Sequence, residues 1–106
     1  MIACPDFLPL GSVAVLKGSA KRLLVIGRAL AVENDEGEKE YYDYSFALYP
    51  EGLVRDTVIY SNHDCIDEVL FRGFEDEENA SVIETLEEIL PKMDIPKANP
   101  RPVDEW

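Results

Sequence analysis

The stretch that decides the fold is "LPLGSVAVLKGSAKRLLVIGR", residues 8–28. Two apolar runs, residues 13–16 and 22–31, flank the short "KGSAK" at 17–21, in which Gly18 and Ser19 lie between lysines. Strand-forming residues on both sides of a five-residue Gly/Ser loop read as an antiparallel hairpin. A phosphate-gripping loop fails on spacing. A Walker A loop needs Gly, four residues, then Gly-Lys-Ser/Thr opening a helix, whereas here the order is Lys-Gly-Ser and a strand follows. The Gly-x-Gly-x-x-Gly fingerprint is absent as well. Gly27 inside the second run predicts a bulge or tight bend, the device by which small sheets curl.

Beyond a polar turn at 34–40, "NDEGEKE", comes "YYDYSFALY" at 41–49. Tyr42, Tyr44, Phe46 and Leu48 fall on one face at period two, and Asp43, Ser45 and Ala47 on the other, which predicts a half-buried strand. "PEG" at 50–52 ends it, and "TVIYS" at 57–61 begins the next. "NHDCIDEVLFRGF" at 62–74 reads as a turn near Asn62 and Asp64 followed by a strand over 68–74. Ser81 and Glu84 stand in capping-box spacing, and Val82, Ile83, Leu86, Ile89 and Leu90 form one apolar stripe, so a helix precedes Pro91. Four prolines in "PKMDIPKANPRPVDEW", 91–106, favour an extended tail over a packed element.

The expected fold is therefore α+β. It is a small, mostly antiparallel curled sheet or open barrel of about five strands, with one C-terminal helix and an extended Pro-rich tail. Residues 1–90 form the domain and 91–106 the tail. No stretch between strands is long enough for a parallel βαβ crossover.

At 106 residues the chain suits one domain, which buries roughly two-thirds of its unfolded surface. No apolar run approaches the roughly 20 residues that span a bilayer, and the start lacks a secretory pattern, so the expectation is a cytoplasmic protein without a membrane partner. Two cysteines, Cys4 and Cys65, are weak evidence for an oxidising compartment and are expected as free thiols. The net charge is −12, and residues 1–32 alone carry four cations against one carboxylate, so the rest carries about −15. Phosphate backbones are repelled by such a chain, which argues against nucleic acid and for solubility or a basic partner.

Catalytic constellations are sparse. His63 beside Asp64 and Cys65 admits a Cys–His nucleophile pair or a metal site. A zinc site wants four N/S ligands, however, and the pair needs an oxyanion hole. The plainer reading makes His63 a turn residue and Cys65 a small core residue. "NDEGE" at 34–38 and "EDEEN" at 75–79 do not fit a calcium loop, and "EDEEN" instead places negative charge ahead of the helix. No catalytic, metal or cofactor residue is assigned. The residues expected to contact a partner are Lys17, Lys21 and Arg22 at the hairpin tip, Tyr41, Tyr49 and Glu51 on and after the aromatic strand, and Trp106 at the end of the tail.

Residues 8–28, "YDYSFALYPEG" at 42–52 and "NHDCIDEVLFRGF" at 62–74 together resemble DUF4176, a family of small proteins of Gram-positive bacteria. "KGSAK" replaces the more glycine-rich turn of that family. The resemblance implies proximity to type VII secretion genes and the LXG-type toxins those systems export. It implies no enzyme activity. The role it implies is a chaperone or adaptor for such a toxin or its small helical accessory proteins. An immunity protein neutralising a cognate toxin is the alternative, and the oligomeric state stays open.

Overall fold

The computed structural model describes residues 2–99. The hairpin forms where the sequence places it: β1 (Val13–Leu16) and β2 (Arg22–Glu33) pair antiparallel, with Val13 opposite Leu24 and Val15 opposite Arg22. Gly18 takes a φ of 83° in the connecting turn, a conformation open to glycine at no steric cost. The β2 register slips between Val25 and Gly27, so Gly27 does mark a bulge. At the next turn the Asn34 side-chain oxygen accepts from the N–H groups of Glu36 and Glu38, which folds β2 back into β3 (Lys39–Leu48).

β4 (Ile59–Ser61) pairs with β3 and is shorter than expected. A 3₁₀ turn, His63–Cys65, then leads into β5 (Ile66–Phe71), which crosses over to pair with β1. The strand order is β4-β3-β2-β1-β5, every pairing is antiparallel, and the sheet stays open.

The helix α1 (Glu77–Ile89) begins earlier than the Ser81–Glu84 spacing predicts. Asp76 is its cap, accepting from the Asn79 N–H at 2.9 Å, and Glu77 and Glu78 occupy the first turn beside the positive end of the dipole. Ser81 lies inside, its carbonyl accepting from the Thr85 hydroxyl. Pro91 falls in a closing 3₁₀ turn, Leu90–Lys92. Of the predicted stripe, Ile83, Leu86 and Leu90 pack on the core, while Val82 and Ile89 remain exposed.

One sheet face carries Ala14, Leu16, Leu23, Val25, Tyr44 and Phe46, and residues Ile2, Phe7, Leu8 and Leu90 cover it. Phe7 meets Tyr44 edge-on, and the Ile2 N–H donates to the Leu90 carbonyl, so the start of the chain is tied to the end of the helix. The middle of β3 is buried on both faces: Asp43, Ser45 and Ala47, expected on a solvated side, are at most 5% exposed. Beyond the closing 3₁₀ turn the segment 93–99 forms no helix, and it packs. Met93 and Ile95 lie on the core, Ala98 is buried, and Tyr41 pairs with Lys97 in a parallel bridge. The compact unit therefore runs past the boundary expected at residue 90.

Gly73 fixes how β5 leaves the sheet. Its N–H donates to the Ser12 hydroxyl at 2.9 Å, and a Cβ at this position would stand 2.3 Å from the Leu10 carbonyl oxygen and 3.0 Å from the Ser12 nitrogen. Backbone cannot step aside as a side chain can. Gly73→Ala is expected to cost about 1–3 kcal/mol in urea unfolding. Gly27→Ala, whose one close neighbour would be the rotatable Ser45 hydroxyl, with Leu30 at ordinary contact distance, should cost less.

Candidate functional site

The hairpin and the end of β3 converge at one end of the sheet. Lys21 Nζ lies 2.7 and 2.8 Å from the two Glu51 carboxylate oxygens, and that ammonium holds the exposed Glu51 carboxyl below its usual range. An exposed pair of this kind adds little stability, so its significance is positional. The Tyr49 N–H donates to the Arg22 carbonyl at 3.0 Å, and Lys17 Nζ donates to the Asp64 carbonyl at 2.8 Å. Four of the residues expected at an interface, Lys21, Arg22, Tyr49 and Glu51, thus share one corner, with Lys17 at the same hairpin tip.

Two expected residues do not join them. Tyr41 is fully buried, because the docked segment 96–98 covers it: its N–H donates to the Pro96 carbonyl and its carbonyl accepts from the Ala98 N–H, both at 2.9 Å. It is a core residue, not a contact. Trp106 lies outside the described residues.

Beside Arg22 runs an apolar groove of about 570 Å³ whose walls are Gly11, Val13, Arg22, Leu24, Tyr49, Leu70 and Phe71. The registers explain it. Phe71 pairs with Val13 and Val13 with Leu24, so one row of apolar side chains crosses three strands. The next row holds Glu68, Val15 and Arg22. Sequence reading missed Leu70 and Phe71 because an apolar run in a strand signals core. A second cleft, of about 1010 Å³, holds Lys21, Glu51, Glu33, Asp35 and Glu40 with the Tyr42–Tyr60 ring pair, centroids 5.4 Å apart.

A buried polar node lies behind this surface. The Asn62 side chain accepts from the Asp43 N–H and donates to the Ala98 carbonyl, both at 2.9 Å. Asp43 Oδ2 accepts from the His63 N–H at 2.8 Å and faces Lys97 Nζ at 3.4 Å. Asp43 Oδ1 and the Tyr41 hydroxyl are buried without a hydrogen-bond partner of good geometry. His63 is thus a turn residue, as the plainer reading had it, and its Nδ1 meets the Tyr44 hydroxyl at 2.8 Å. Cys65 is half-buried against the core, and both thiols are free. Among the described residues no group of three or more His, Cys, Asp or Glu is placed to hold a metal ion.

Burial pushes the Tyr44 hydroxyl up to about 12, with the Asp43 charge adding to it and the Leu8 N–H opposing it, and burial with the Asp43 carboxylate raises Tyr41 further. A raised tyrosine binds its proton more tightly folded than unfolded. Its contribution is complete below about pH 10, where unfolded tyrosine titrates, and is lost as pH climbs through about 12. Stability should fall across that window, with tyrosinate absorbance rising late, and Tyr44→Phe should flatten part of the fall.

Among the described residues the open antiparallel sheet and one α-helix define a small α+β domain with an exposed groove at one corner. The chain belongs to the DUF4176 family: the model of that family, described as a domain of unknown function, matches residues 7–82. No curated protein and no solved structure matches it. The match ends inside α1, ahead of the docked segment. No helix among the described residues is long and apolar enough to cross a membrane.

Proposed function

We propose that this protein is a non-enzymatic, cytoplasmic protein-binding module, a chaperone or adaptor for an LXG-type toxin or its small helical accessory proteins in type VII secretion. The observation that carries the reading is the groove. Apolar side chains from three strands lie open beside Arg22 and Tyr49, with the Lys21–Glu51 pair at the same corner. Aromatic and Arg anchors around an apolar floor are the composition of protein contacts. The type VII setting comes from the family resemblance alone.

A second reading, an immunity protein, draws on the charge of −12, which suits a basic toxin surface. Co-expression of the tagged protein with a neighbouring LXG-type toxin, split into targeting and toxic halves, separates the two. A chaperone or adaptor captures toxin that is active after release. An immunity protein captures the toxic half alone and quenches it. Capture of neither half overturns both.

A further inference from the structure

We propose that the outer edge of β5 is a docking edge that takes an extended segment of a partner protein, one alternating apolar side chains with Lys or Arg, as a sixth strand. The inference rests on the protein-binding reading and adds to it the binding mode and the chemistry of the partner.

β5 is a terminal strand, paired with β1 on one side only, and among the described residues no other backbone bonds to residues 67–71. A terminal strand presents a row of unpaired N–H and C=O groups, which natural proteins blunt with charged side chains, above all Lys, with Pro, with bulges or with a very short strand. This edge has six residues and neither Lys nor Pro; its pairing with β1 slips at two places, and its charged residues, Asp67 and Glu68, are both acidic, which repels an acidic strand and suits a basic one. It is also apolar in the open. Val69, Leu70 and Phe71 are 43%, 44% and 61% exposed, and Phe74 just beyond is 80% exposed. Main-chain bonding along such an edge supplies affinity, and alternate side chains supply selectivity.

The charge says which segment fits. Residues 66–91 hold nine carboxylates against one cation, Arg72, and Glu75 already engages that cation at 2.9 Å. Apolar side chains with an acidic surround are met by apolar side chains with a basic one. The same charge disfavours a second copy, whose own edge would bring the same nine carboxylates against one cation.

The test titrates the full chain with a capped synthetic peptide alternating Val and Lys, against two controls, a Val/Glu peptide and a Val/Lys peptide interrupted by prolines. The Val/Lys peptide should bind, neither control should, and hydrogen exchange at the amides of 67–71 should slow on binding. Glu68→Lys with Phe71→Gln should weaken binding at least about tenfold. Glu36→Lys, in the distant β2–β3 turn, shifts the net charge equally and should leave binding within about twofold. Equal weakening by both variants would reduce the effect to net charge and overturn the proposal, as would exchange unchanged at 67–71. A dimer that the β5 variant splits would give the edge to a second copy and overturn it too. Toxin capture by the β5 variant as strong as by the parent would move the contact elsewhere and leave the protein-binding reading standing.

Discussion

A chain ending at Leu90 should lose at least about 5 kcal/mol of stability, a large part of the 5–15 kcal/mol that holds a typical domain folded. The cut removes the Pro96 carbonyl and the Ala98 N–H from Tyr41, and the Ala98 carbonyl from Asn62, three bonds at about 1 kcal/mol each. It also takes away Met93 and Ile95, partly buried against the core, each contributing on the order of 1 kcal/mol. Two further losses add to these: Lys97 no longer faces the buried Asp43 carboxylate, and Tyr41 opens to water. Guanidinium unfolding followed by circular dichroism measures the difference. A midpoint matching that of the full chain would put the domain boundary back at residue 90.

That expectation marks where the sequence stopped being readable. The hairpin, the Gly27 bulge and the period-two strand at 41–48 are local, since each depends on neighbours a few residues away. Tyr41 is different. Its place in the alternation assigns it to a solvated face, and what covers it is a proline-containing segment some 55 residues later. Prolines rule out a helix or central strand there, but they do not prevent an extended segment from docking on a strand edge. The helix start was misread for a local reason: Ser81 and Glu84 have capping-box spacing, but Asp76 caps the chain first and extends α1 to 13 residues.

The corner site was half legible. Lys21, Arg22 and Tyr49 follow from a hairpin tip beside a strand end, because antiparallel pairing brings Arg22 alongside Tyr49. Leu70 and Phe71 were not legible, because "VLF" in a strand reads as core, and the crossover that sets these side chains beside Val13 and Leu24 joins residues far apart in the chain. The buried node was hidden for the same reason. Asp43 reads as the polar face of an amphipathic strand until β4 and residues 97–98 arrive to bury it.

Asn62 is where those arrivals are fastened, and Asn62→Ala should cost about 2–4 kcal/mol. The substitution strands two buried backbone groups, the Asp43 N–H and the Ala98 carbonyl, at about 1–3 kcal/mol for each group left unpaired. Asn62→Asp is the more discriminating change. It keeps an acceptor for the Asp43 N–H, so a side chain needed only for that bond would tolerate it. In this node it removes the donor to Ala98 and sets a second carboxylate beside Asp43, which is already fully buried with one oxygen unpartnered. Asn62→Asp is therefore expected to be at least as destabilising as Asn62→Ala at neutral pH, measured as the shift in guanidinium midpoint at unchanged slope. In the chain ending at Leu90 the Ala98 carbonyl is gone, so Asn62→Ala should cost less there than in the full chain by about the worth of that bond. Full additivity of truncation and substitution would mean that Asn62 does not hold the segment, and the covering of Tyr41 would then need another cause.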